Sequence, residues 1–359
     1  MTNAGFSYFN DLKVVELAAV LAGPSVGMFF AELGASVFKV EHPHGDMTRK
    51  WKLSKEDKNA SVSGYYCSVN WGKEIHFLNL KEQDDYNKVC CLIEGADVLI
   101  TNFKHGDAEK FNLTYEDVLK VNDKIIYAHL SGYGTGNPRP AFDVVIQAEA
   151  GYMSMNGQAD SPPTKMPVAF MDVLAAHQMK EGILCGLLER EKTGKGALIE
   201  VNLYDAGIAS LANQATNWLM GQEIPERRGS LHPNIAPYGE IFDCKDGRQM
   251  VLAIGTDKQF QILCDILGAP EISQKDEYIN NQQRVINREV LDKELSPLFL
   301  NFKAEDLSNS FIQHHIPGGI VKNVKEVFDD AKDRNLILEE TIDSVETKRV
   351  KTVVFNKVQ

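Results

Sequence analysis

The segment LKVVELAAVLAGPSVGMFFAELGASVFKVEHP, residues 12–43, holds two strand-like runs separated by one helix-like run. LKVVELA is short and rich in β-branched residues, whereas GPSVGMFFAELG has helical periodicity and ends at Gly34. ASVFKVEHP is a second strand-like run, which leads into Pro43. A strand, a helix and a strand in this order are typical of a parallel sheet. We therefore predict that this segment begins an α/β domain.

The same alternation continues to about residue 224. KEIHFLNL, ADVLITNF and IIYAHLSGYG are strand-like, and KEQDDYNKVCCLIEGA is helix-like. KTGKGALIEVNLYDAGIASLANQATNWLM predicts a Gly-rich turn, a strand and a long helix. We predict a Rossmann-like, doubly wound parallel sheet in a large domain, residues 1–224. The glycines of SGYGTG are spaced wrongly for a dinucleotide fingerprint, so this sheet does not imply NAD.

A smaller α+β domain is predicted for residues 225–330. RRGSLHPNIAPYGEIF breaks the alternation with Gly and Pro, and GEIFDCKDGRQMVLAIG resembles a hairpin that turns at CKDG. Three helices are expected after it, around Gln259 to Leu267, Gln283 to Leu300 and Ala304 to His314. Residues 331–359 contain the strand-like VETKRVKTVVFNKV and are expected to return toward the large domain.

Composition limits the kinds of partner. The chain has 359 residues, 43% of them hydrophobic and 25% charged, which is ordinary for a globular protein. Its formal net charge of −12 argues against a general affinity for nucleic acid or for an anionic membrane. The six cysteines form no CxxC pair, and neither a signal pattern nor a membrane-spanning run is seen. We therefore expect reduced thiols and a cytoplasmic location.

The segment VAFMDVLAAHQMKEGILCGLLER, residues 168–190, places one carboxylate, Asp172, immediately before a helical pattern. Asp is a favoured helix N-cap, and a carboxylate at that place can also be reactive. The two roles are compatible, because the free N–H groups of a helix N-terminus would stabilise the anion. The small residues Ala169, Ala175 and Ala176 would let a bulky ligand approach.

Several ordered motifs extend this interpretation. GKEIHFLNLK, ADVLITNFKHGDAEKFNL, LSGYGTGNPRPAFDVVIQAEAGYMSMNG and the Asp172 helix with REKTGKG follow one another along the chain. In that order they resemble the class III CoA-transferase family, which includes formyl-CoA and carnitine CoA-transferases and the related 2-methylacyl-CoA racemases. The resemblance extends from Val14 to about Leu336.

The resemblance implies CoA transfer from an acyl-CoA thioester to a free carboxylic acid, with Asp172 as the nucleophile. The implied intermediates are an aspartyl anhydride and a β-aspartyl-CoA thioester. Coenzyme A and acyl-CoA are then substrates, and no metal or prosthetic group is expected. The family also implies an interlocked homodimer.

Carried over position by position, the resemblance implies a set of CoA-binding residues. Lysine occurs at some positions where many relatives have arginine, and lysine contacts phosphate as a point charge rather than as a bidentate fork. The expected CoA contacts are Val20, Leu21, Ala22, His42, Leu78, Lys81, Asn102, Phe103, Lys104, Lys110 and Tyr133.

Two alternatives to transfer stay open. Racemases of this family carry a His-Asp pair after the glycine-rich loop, and the corresponding pair here is Phe142-Asp143. Phenylalanine cannot transfer a proton, which argues against an acyl-CoA epimerase. His177 lies five residues after Asp172 and is interpreted as a helix residue rather than a replacement base. The second alternative is a catalytically silent acyl-CoA-binding protein.

Overall fold

The computed structural model describes residues 9–355. Within that range the chain divides into two units. The first comprises residues 9–153, 165–224 and 334–355, and the second comprises residues 154–164 and 225–333. Residues 154–164 therefore cluster with the second unit, although the sequence had suggested the large domain for them. Residues 356–358 of the last predicted strand lie outside the described range.

Six parallel strands form the central sheet of the first unit. They are β1 (Lys13–Leu17), β2 (Ser36–Glu41), β3 (Lys73–Phe77), β4 (Val98–Thr101), β5 (Ile126–Ser131) and β6 (Ala197–Asn202). Their order is β3-β2-β1-β4-β5-β6, and every neighbouring pair is parallel. The predicted doubly wound parallel sheet is confirmed. The order reverses between β1 and β4, and ligands of such sheets bind at the carboxyl edge beside this reversal.

Ten helices lie between residues 22 and 221. They are α1 (Ala22–Glu32), α2 (Gly64–Cys67), α3 (Gln83–Glu94), α4 (Asp107–Lys110), α5 (Tyr115–Leu119), α6 (Asp143–Glu149), α7 (Tyr152–Met155), α8 (Phe170–Thr193), α9 (Leu203–Ala209) and α10 (Asn213–Gly221). The prediction of one long helix after β6 is wrong. Ala212 has a left-handed φ of 50°, and this residue separates α9 from α10.

Helix α8 packs against β5, β6, α1, α6 and α9. Two of its glycines make this close approach possible. A Cβ on Gly182 would lie 2.7 Å from Cγ2 of Ile199 in β6, and one on Gly186 would lie 3.3 Å from Ile126 in β5. Side chains at these positions would push α8 away from the sheet. The two glycines thus set where the first turn of α8 stands at the carboxyl edge.

The hairpin of β10 (Ile337–Ile342) and β11 (Val345–Val350) belongs to the first unit. Residues after β11 bind to α1 through one buried carboxylate. Glu32 accepts hydrogen bonds from the backbone N–H groups of Thr352, at 3.0 Å, and Val353, at 2.9 Å. Its Oε1 also lies 3.3 Å from Nη2 of Arg349 in β11. These contacts attach residues 349–353 to α1.

The second unit contains five α-helices and an antiparallel sheet of β7 (Tyr238–Asp243), β8 (Gln249–Ala253) and β9 (Gly318–Ile320), in the order β7-β8-β9. The predicted hairpin around CKDG is present as β7 and β8, but the single helix predicted from Gln283 to Leu300 is two helices that meet at Asn287. Phe242 of β7 stacks on Phe299 at 4.3 Å in the core of this unit. The helices are α11 (Asp257–Ile266), α12 (Asn281–Ile286), α13 (Arg288–Phe299), α14 (Ala304–Gln313) and α15 (Val324–Asp330). None of the helices in the described part of the chain is long and apolar enough to span a membrane.

Three charged side chains lie inside the first unit beneath α1. Glu16 of β1 accepts hydrogen bonds from Nζ of Lys39 in β2, at 2.9 Å, and from Nζ of Lys73 in β3, at 2.7 Å. All three side chains have no exposed surface. Burial alone would raise the pKa of Glu16, but the two ammonium groups outweigh it and hold that pKa below its ordinary value. Lys73 also donates to the carbonyl of Pro24 at 2.8 Å, which ties the start of α1 to the sheet.

We expect Glu16→Ala to lower the free energy of unfolding by about 3–5 kcal/mol, because it leaves Lys39 and Lys73 buried without the carboxylate that they share. Urea unfolding at pH 7 measures this loss. Glu74→Ala is the matched control, since Glu74 is an exposed strand glutamate paired with His76. Its loss should stay below about 1 kcal/mol. Equal losses of unfolding free energy in Glu16→Ala and Glu74→Ala would show that the buried network of Glu16, Lys39 and Lys73 stabilises the fold no more than an exposed pair does.

Candidate active site

Asp172 is the third residue of α8, and the N-cap of that helix is Ala169. The prediction that Asp172 caps the helix is therefore wrong by three residues. Its side chain is buried, with 8% of the residue surface exposed. Among the residues that the structure describes, none forms a hydrogen bond or an ion pair with this carboxylate. A buried carboxylate without a partner is costly, and such costs are concentrated at functional sites.

The neighbouring acid, Asp143, takes the interactions that had been expected for Asp172. Asp143 is the first residue of α6, and its Oδ1 accepts the backbone N–H of Met171 at 2.8 Å. Its Oδ2 accepts from Nε2 of Gln147 at 2.6 Å. A free donor of the first turn of α8 is therefore satisfied by a different carboxylate. Asp172 lies in the first turn of α8, where the helix dipole favours an anion, but it receives no hydrogen bond from the backbone N–H groups of that turn.

Burial, together with the charge of Asp143, raises the pKa of Asp172 to about 7. Near neutral pH the side chain is therefore divided between the acid and the carboxylate. The ionised fraction has lost most of its solvation and makes no compensating hydrogen bond with a described residue. Such a carboxylate is poised to attack an electrophile that enters the site.

Tyr65 lies within electrostatic reach of the same acids. Burial, followed by the charges of Asp172, Asp143 and Asp46, raises the pKa of Tyr65 to about 12. Its hydroxyl therefore keeps its proton at neutral pH and is available as a hydrogen-bond donor. The ring contacts Trp51 edge-on at 5.0 Å. No sequence pattern pointed to Tyr65, because a tyrosine between predicted elements is usually only a packing residue.

Three of the expected CoA-binding residues lie where β1 leads into α1: Val20 is in the turn, Leu21 is the N-cap of α1 and Ala22 is its first residue. Val20 has a φ of 74°, which is unusual for a β-branched residue. Asn102, which follows β4, holds this turn by two hydrogen bonds to Ala19. Its Oδ1 accepts the Ala19 N–H at 3.0 Å, and its Nδ2 donates to the Ala19 carbonyl at 2.8 Å. The Asn102 side chain therefore supports the β1–α1 turn through its two hydrogen bonds to Ala19.

The other expected CoA-binding residues follow the ends of different strands. His42 follows β2, Leu78 follows β3, and Phe103 and Lys104 come just after β4. Because the carboxyl ends of parallel strands meet at one edge, the fold brings these segments to the same side of the sheet as the β1–α1 turn. His42 and Lys104 are exposed, as are Lys81 and Lys110 farther along the chain.

Two of the expected contacts are already occupied by protein groups. Leu78 is buried in the apolar core beside α3, and its N–H donates to the Glu41 carbonyl at 2.8 Å. The hydroxyl of Tyr133 donates to Glu149 at 2.8 Å, and the guanidinium of Arg139 lies 4.1 Å from the centre of its ring. Both residues therefore have protein partners in the structure.

Phe142 precedes Asp143 and is the N-cap residue of α6, with half of its surface exposed. It stands where racemases of this family carry histidine, and it has no ionisable group. His177 is exposed and lies well inside α8, as expected for an ordinary helix residue. No group of three or more His, Cys, Asp or Glu that could hold a metal ion occurs among the described residues.

The family of the protein follows from comparison with known proteins. A model described as CoA-transferase family III matches residues 9–357. The chain belongs to this family and is a family III CoA-transferase.

Several curated relatives carry the same activity class. The chain is 36% identical over 329 residues to a succinate–glutarate CoA-transferase of Agrobacterium fabrum, covering 89% of this chain and 82% of that protein. It is 35% identical to a succinyl-CoA:mesaconate CoA-transferase of Haloarcula marismortui, covering 92% and 85%. The crystal structure of a CaiB/BaiF family protein from Brucella suis matches with a TM-score of 0.83 and 34% identity, covering 98% and 93%.

Asp172→Asn should change the pH dependence of stability in a defined direction. The unfolded aspartate ionises near pH 4, whereas the buried one ionises near pH 7, so ionisation favours unfolding between these values. The stability of the wild type therefore falls as the pH rises through this window. We expect the stability of Asp172→Asn relative to wild type to rise by about 2–4 kcal/mol between pH 4 and pH 8.

Urea unfolding at several pH values measures this difference. Asp85→Asn serves as a control of opposite sign, because hydrogen bonds from Asn79 and Lys88 hold the pKa of Asp85 below its usual value. That variant should lose stability relative to wild type as the pH rises. A relative stability of Asp172→Asn that does not change with pH would contradict the raised pKa.

Proposed function

We propose that this CoA-transferase uses Asp172 as its covalent nucleophile. The observation that carries the proposal is a buried carboxylate in the first turn of α8 that has no hydrogen-bond or ion-pair partner among the described residues. A structural aspartate in such a place would normally be hydrogen-bonded, as Asp143 is. In the proposed acyl transfer, the electrophile that Asp172 attacks is the carbonyl carbon of the donor thioester.

The proposed reaction is a series of four substitutions at carbonyl carbons. One oxygen of Asp172 attacks the donor thioester, forms an aspartyl anhydride and releases CoA thiolate. The thiolate attacks the aspartyl carbonyl, forms the β-aspartyl-CoA thioester and expels the donor acid, which keeps that oxygen. The acceptor carboxylate then attacks the β-aspartyl-CoA carbonyl and releases thiolate. In the last step the thiolate attacks the acceptor's acyl carbon and frees Asp172.

The surroundings of Asp172 favour the first of these steps. Formation of the anhydride turns a buried charge into a neutral group, so the desolvation that raises the pKa of Asp172 also favours its acylation. Tyr65 keeps its proton at neutral pH and can donate to a carbonyl oxygen that becomes negative. Asp143 stays bound to Met171 and Gln147 and holds α6 against the start of α8.

We propose that CoA lies along the carboxyl edge of the sheet. Exposed His42, Lys81, Lys104 and Lys110 are suited to its phosphates, because cations bind phosphate oxygens by charge-assisted hydrogen bonds. The β1–α1 turn is the proposed place of the thioester. The remaining proposed contacts are Val20, Leu21, Ala22, Leu78, Asn102, Phe103 and Tyr133.

The proposed donor is a short dicarboxylic acyl-CoA such as succinyl-CoA, and the proposed acceptor is another short dicarboxylic acid. This proposal is supported by the names of relatives, which include succinate–glutarate and succinyl-CoA:mesaconate CoA-transferases at 36% and 35% identity. Each step is a substitution without oxidation or reduction, so the chemistry needs no redox cofactor, and we propose that no prosthetic group takes part. The six free cysteines fit a reducing, cytoplasmic location.

Isotope transfer tests the role of Asp172. The protein is given unlabelled succinyl-CoA and glutarate that carries ¹⁸O in both carboxylates. We expect ¹⁸O to appear in Asp172 during turnover, because the acceptor leaves one of its oxygens on the aspartate. Mass spectrometry of the peptide that contains Asp172 measures the label. Asp172→Ala should abolish turnover and leave the affinity for CoA within about tenfold, or about 1.4 kcal/mol.

The controls separate this mechanism from its alternatives. Asp205→Ala removes an exposed aspartate of the short helix α9 and should keep turnover and labelling of Asp172. Loss of α-deuterium from a labelled 2-methylacyl-CoA without any aspartyl adduct would indicate an epimerase. Binding of CoA without turnover across a panel of short carboxylic acids would indicate a silent binding protein. Full activity of Asp172→Ala would rule out the nucleophile.

We also propose an interlocked homodimer. Helix α10 has no buried residue and presents three large apolar side chains, Trp218, Leu219 and Met220, to the surface of the single chain. Apolar side chains exposed together in this way commonly mark an interface.

Light scattering should give twice the chain mass of 40.0 kDa. Leu219→Asp should lower the dimeric fraction, because it introduces a charge into the proposed interface. Ile312→Asp should not, although Ile312 of α14 is equally exposed. A monomeric wild type would contradict the proposal.

A further inference from the structure

Three successive residues of the β1–α1 turn are each held by a different side chain. Nζ of Lys39 donates to the carbonyl of Ala18 at 2.7 Å, and Asn102 binds both backbone groups of Ala19. Oδ2 of Asp46 accepts the N–H of Val20 at 3.2 Å. We propose that Asp46 is a positioning residue for CoA transfer, which fixes this turn, and with it the first turn of α1, beside Asp172.

Asp46 is itself firmly held. It is buried, its Oδ1 accepts from the N–H of Thr48 at 2.9 Å and from the hydroxyl of Thr48 at 2.8 Å, and its N–H donates to Glu41 at 2.9 Å. Nζ of Lys39 lies 3.5 Å from its Oδ2. A carboxylate with so many fixed contacts has little freedom to move. It therefore acts as a rigid acceptor for the one backbone N–H that it receives from the turn.

Val20 is the residue of the turn that most needs such support. Its φ of 74° lies in the left-handed region, where a Cβ-branched side chain is strained. Without the hydrogen bond from its N–H, Val20 would relax toward a negative φ. That rotation would move Leu21 and Ala22, which begin α1.

The first turns of α1 and α8 lie side by side. Both helices follow strands of the parallel sheet, so both start at its carboxyl edge, and they pack against each other. Nζ of Lys180 lies 5.3 Å from the ring centre of Phe29. Lys180 is eight residues after Asp172 and Phe29 is seven after Ala22, each about 11–12 Å along its helix. Ala22 and Asp172 therefore both lie at the carboxyl-edge ends of two helices that pack against each other.

The electrostatics of Tyr65 agree with this arrangement. The charges of both Asp172 and Asp46 contribute to its raised pKa, so the two acids flank the same tyrosine. The inference rests on the proposed role of Asp172 as the nucleophile. Reacting groups must meet within a fraction of an ångström, and a misplacement of about 1 Å can cost on the order of 100-fold in rate. Asp46 would act through this geometry and not by contact with substrate.

The test compares two aspartates that bind backbone N–H groups at opposite ends of β1. Oδ2 of Asp97 accepts the N–H of Lys13 at 2.9 Å at the start of β1, and Asp46 binds the turn after its end. With succinyl-CoA and glutarate as substrates, we expect Asp46→Ala to lower kcat about 30- to 100-fold. Asp97→Ala should keep kcat within about threefold of wild type. This should hold even if its thermal midpoint of unfolding falls as far as that of Asp46→Ala.

A conformational rescue distinguishes positioning from general loss of stability. Glycine adopts a positive φ without strain, so Val20→Gly in the Asp46→Ala background should restore kcat at least about fivefold. If Asp46→Ala does not fold, Asp46→Leu takes its place, because leucine fills a similar space and cannot accept the Val20 N–H. A kcat of the Asp46 variant within threefold of wild type, equal losses in the two aspartate variants, or no rescue by glycine would each overturn the inference.

Trapping with hydroxylamine distinguishes failure of the positioning role of Asp46 from failure of the proposed Asp172 mechanism. Wild type treated with succinyl-CoA should give a hydroxamate at Asp172, and the rate of its formation should fall in Asp46→Ala in parallel with kcat. Absence of the adduct from wild type would refute Asp172 as nucleophile. An adduct that forms at the wild-type rate in Asp46→Ala would instead refute the positioning role alone.

Discussion

The sharing of one buried carboxylate by two lysines is the interaction on which the site depends. Glu16 joins Lys39 and Lys73, so β1, β2 and β3 are tied together directly under α1. A Cβ on Gly27 of α1 would lie 1.9 Å from Oε2 of Glu16, which means that the helix can pack here only because it carries glycine. Lys39 then reaches the β1–α1 turn, so the charge network and the site form one connected structure.

On the proposed mechanism, the acids at the start of α6 and α8 have two incompatible tasks. Asp143 is satisfied by hydrogen bonds and keeps the helices in place. Asp172 has no such partner among the described residues, and its pKa is correspondingly raised. A single carboxylate could not be well bound and also reactive, because each hydrogen bond that stabilises an anion weakens it as a nucleophile.

The strands of the first unit could be predicted from sequence because β-branched runs and glycine-terminated helices alternate regularly. The position of Asp172 within its helix could not, since the preceding residues Phe170 and Met171 fit a strand end as well as a first helical turn. Lys39 lies in a run that a parallel sheet buries on both faces. A charged residue in such a run indicates a buried partner of opposite charge. The role of Asp46 depends on contacts between distant segments, which no local pattern records.

On the proposed mechanism, the lack of a protein partner for Asp172 affects the relative free energies of the resting enzyme and its covalent intermediates. In the resting enzyme the ionised fraction of Asp172 is a largely desolvated charge, and acylation removes that charge from the aspartate. Every covalent intermediate is neutral at that atom and so lies lower relative to the start than it would in water. The free-energy cost of burying this charge is therefore absent from the aspartate in the covalent intermediates.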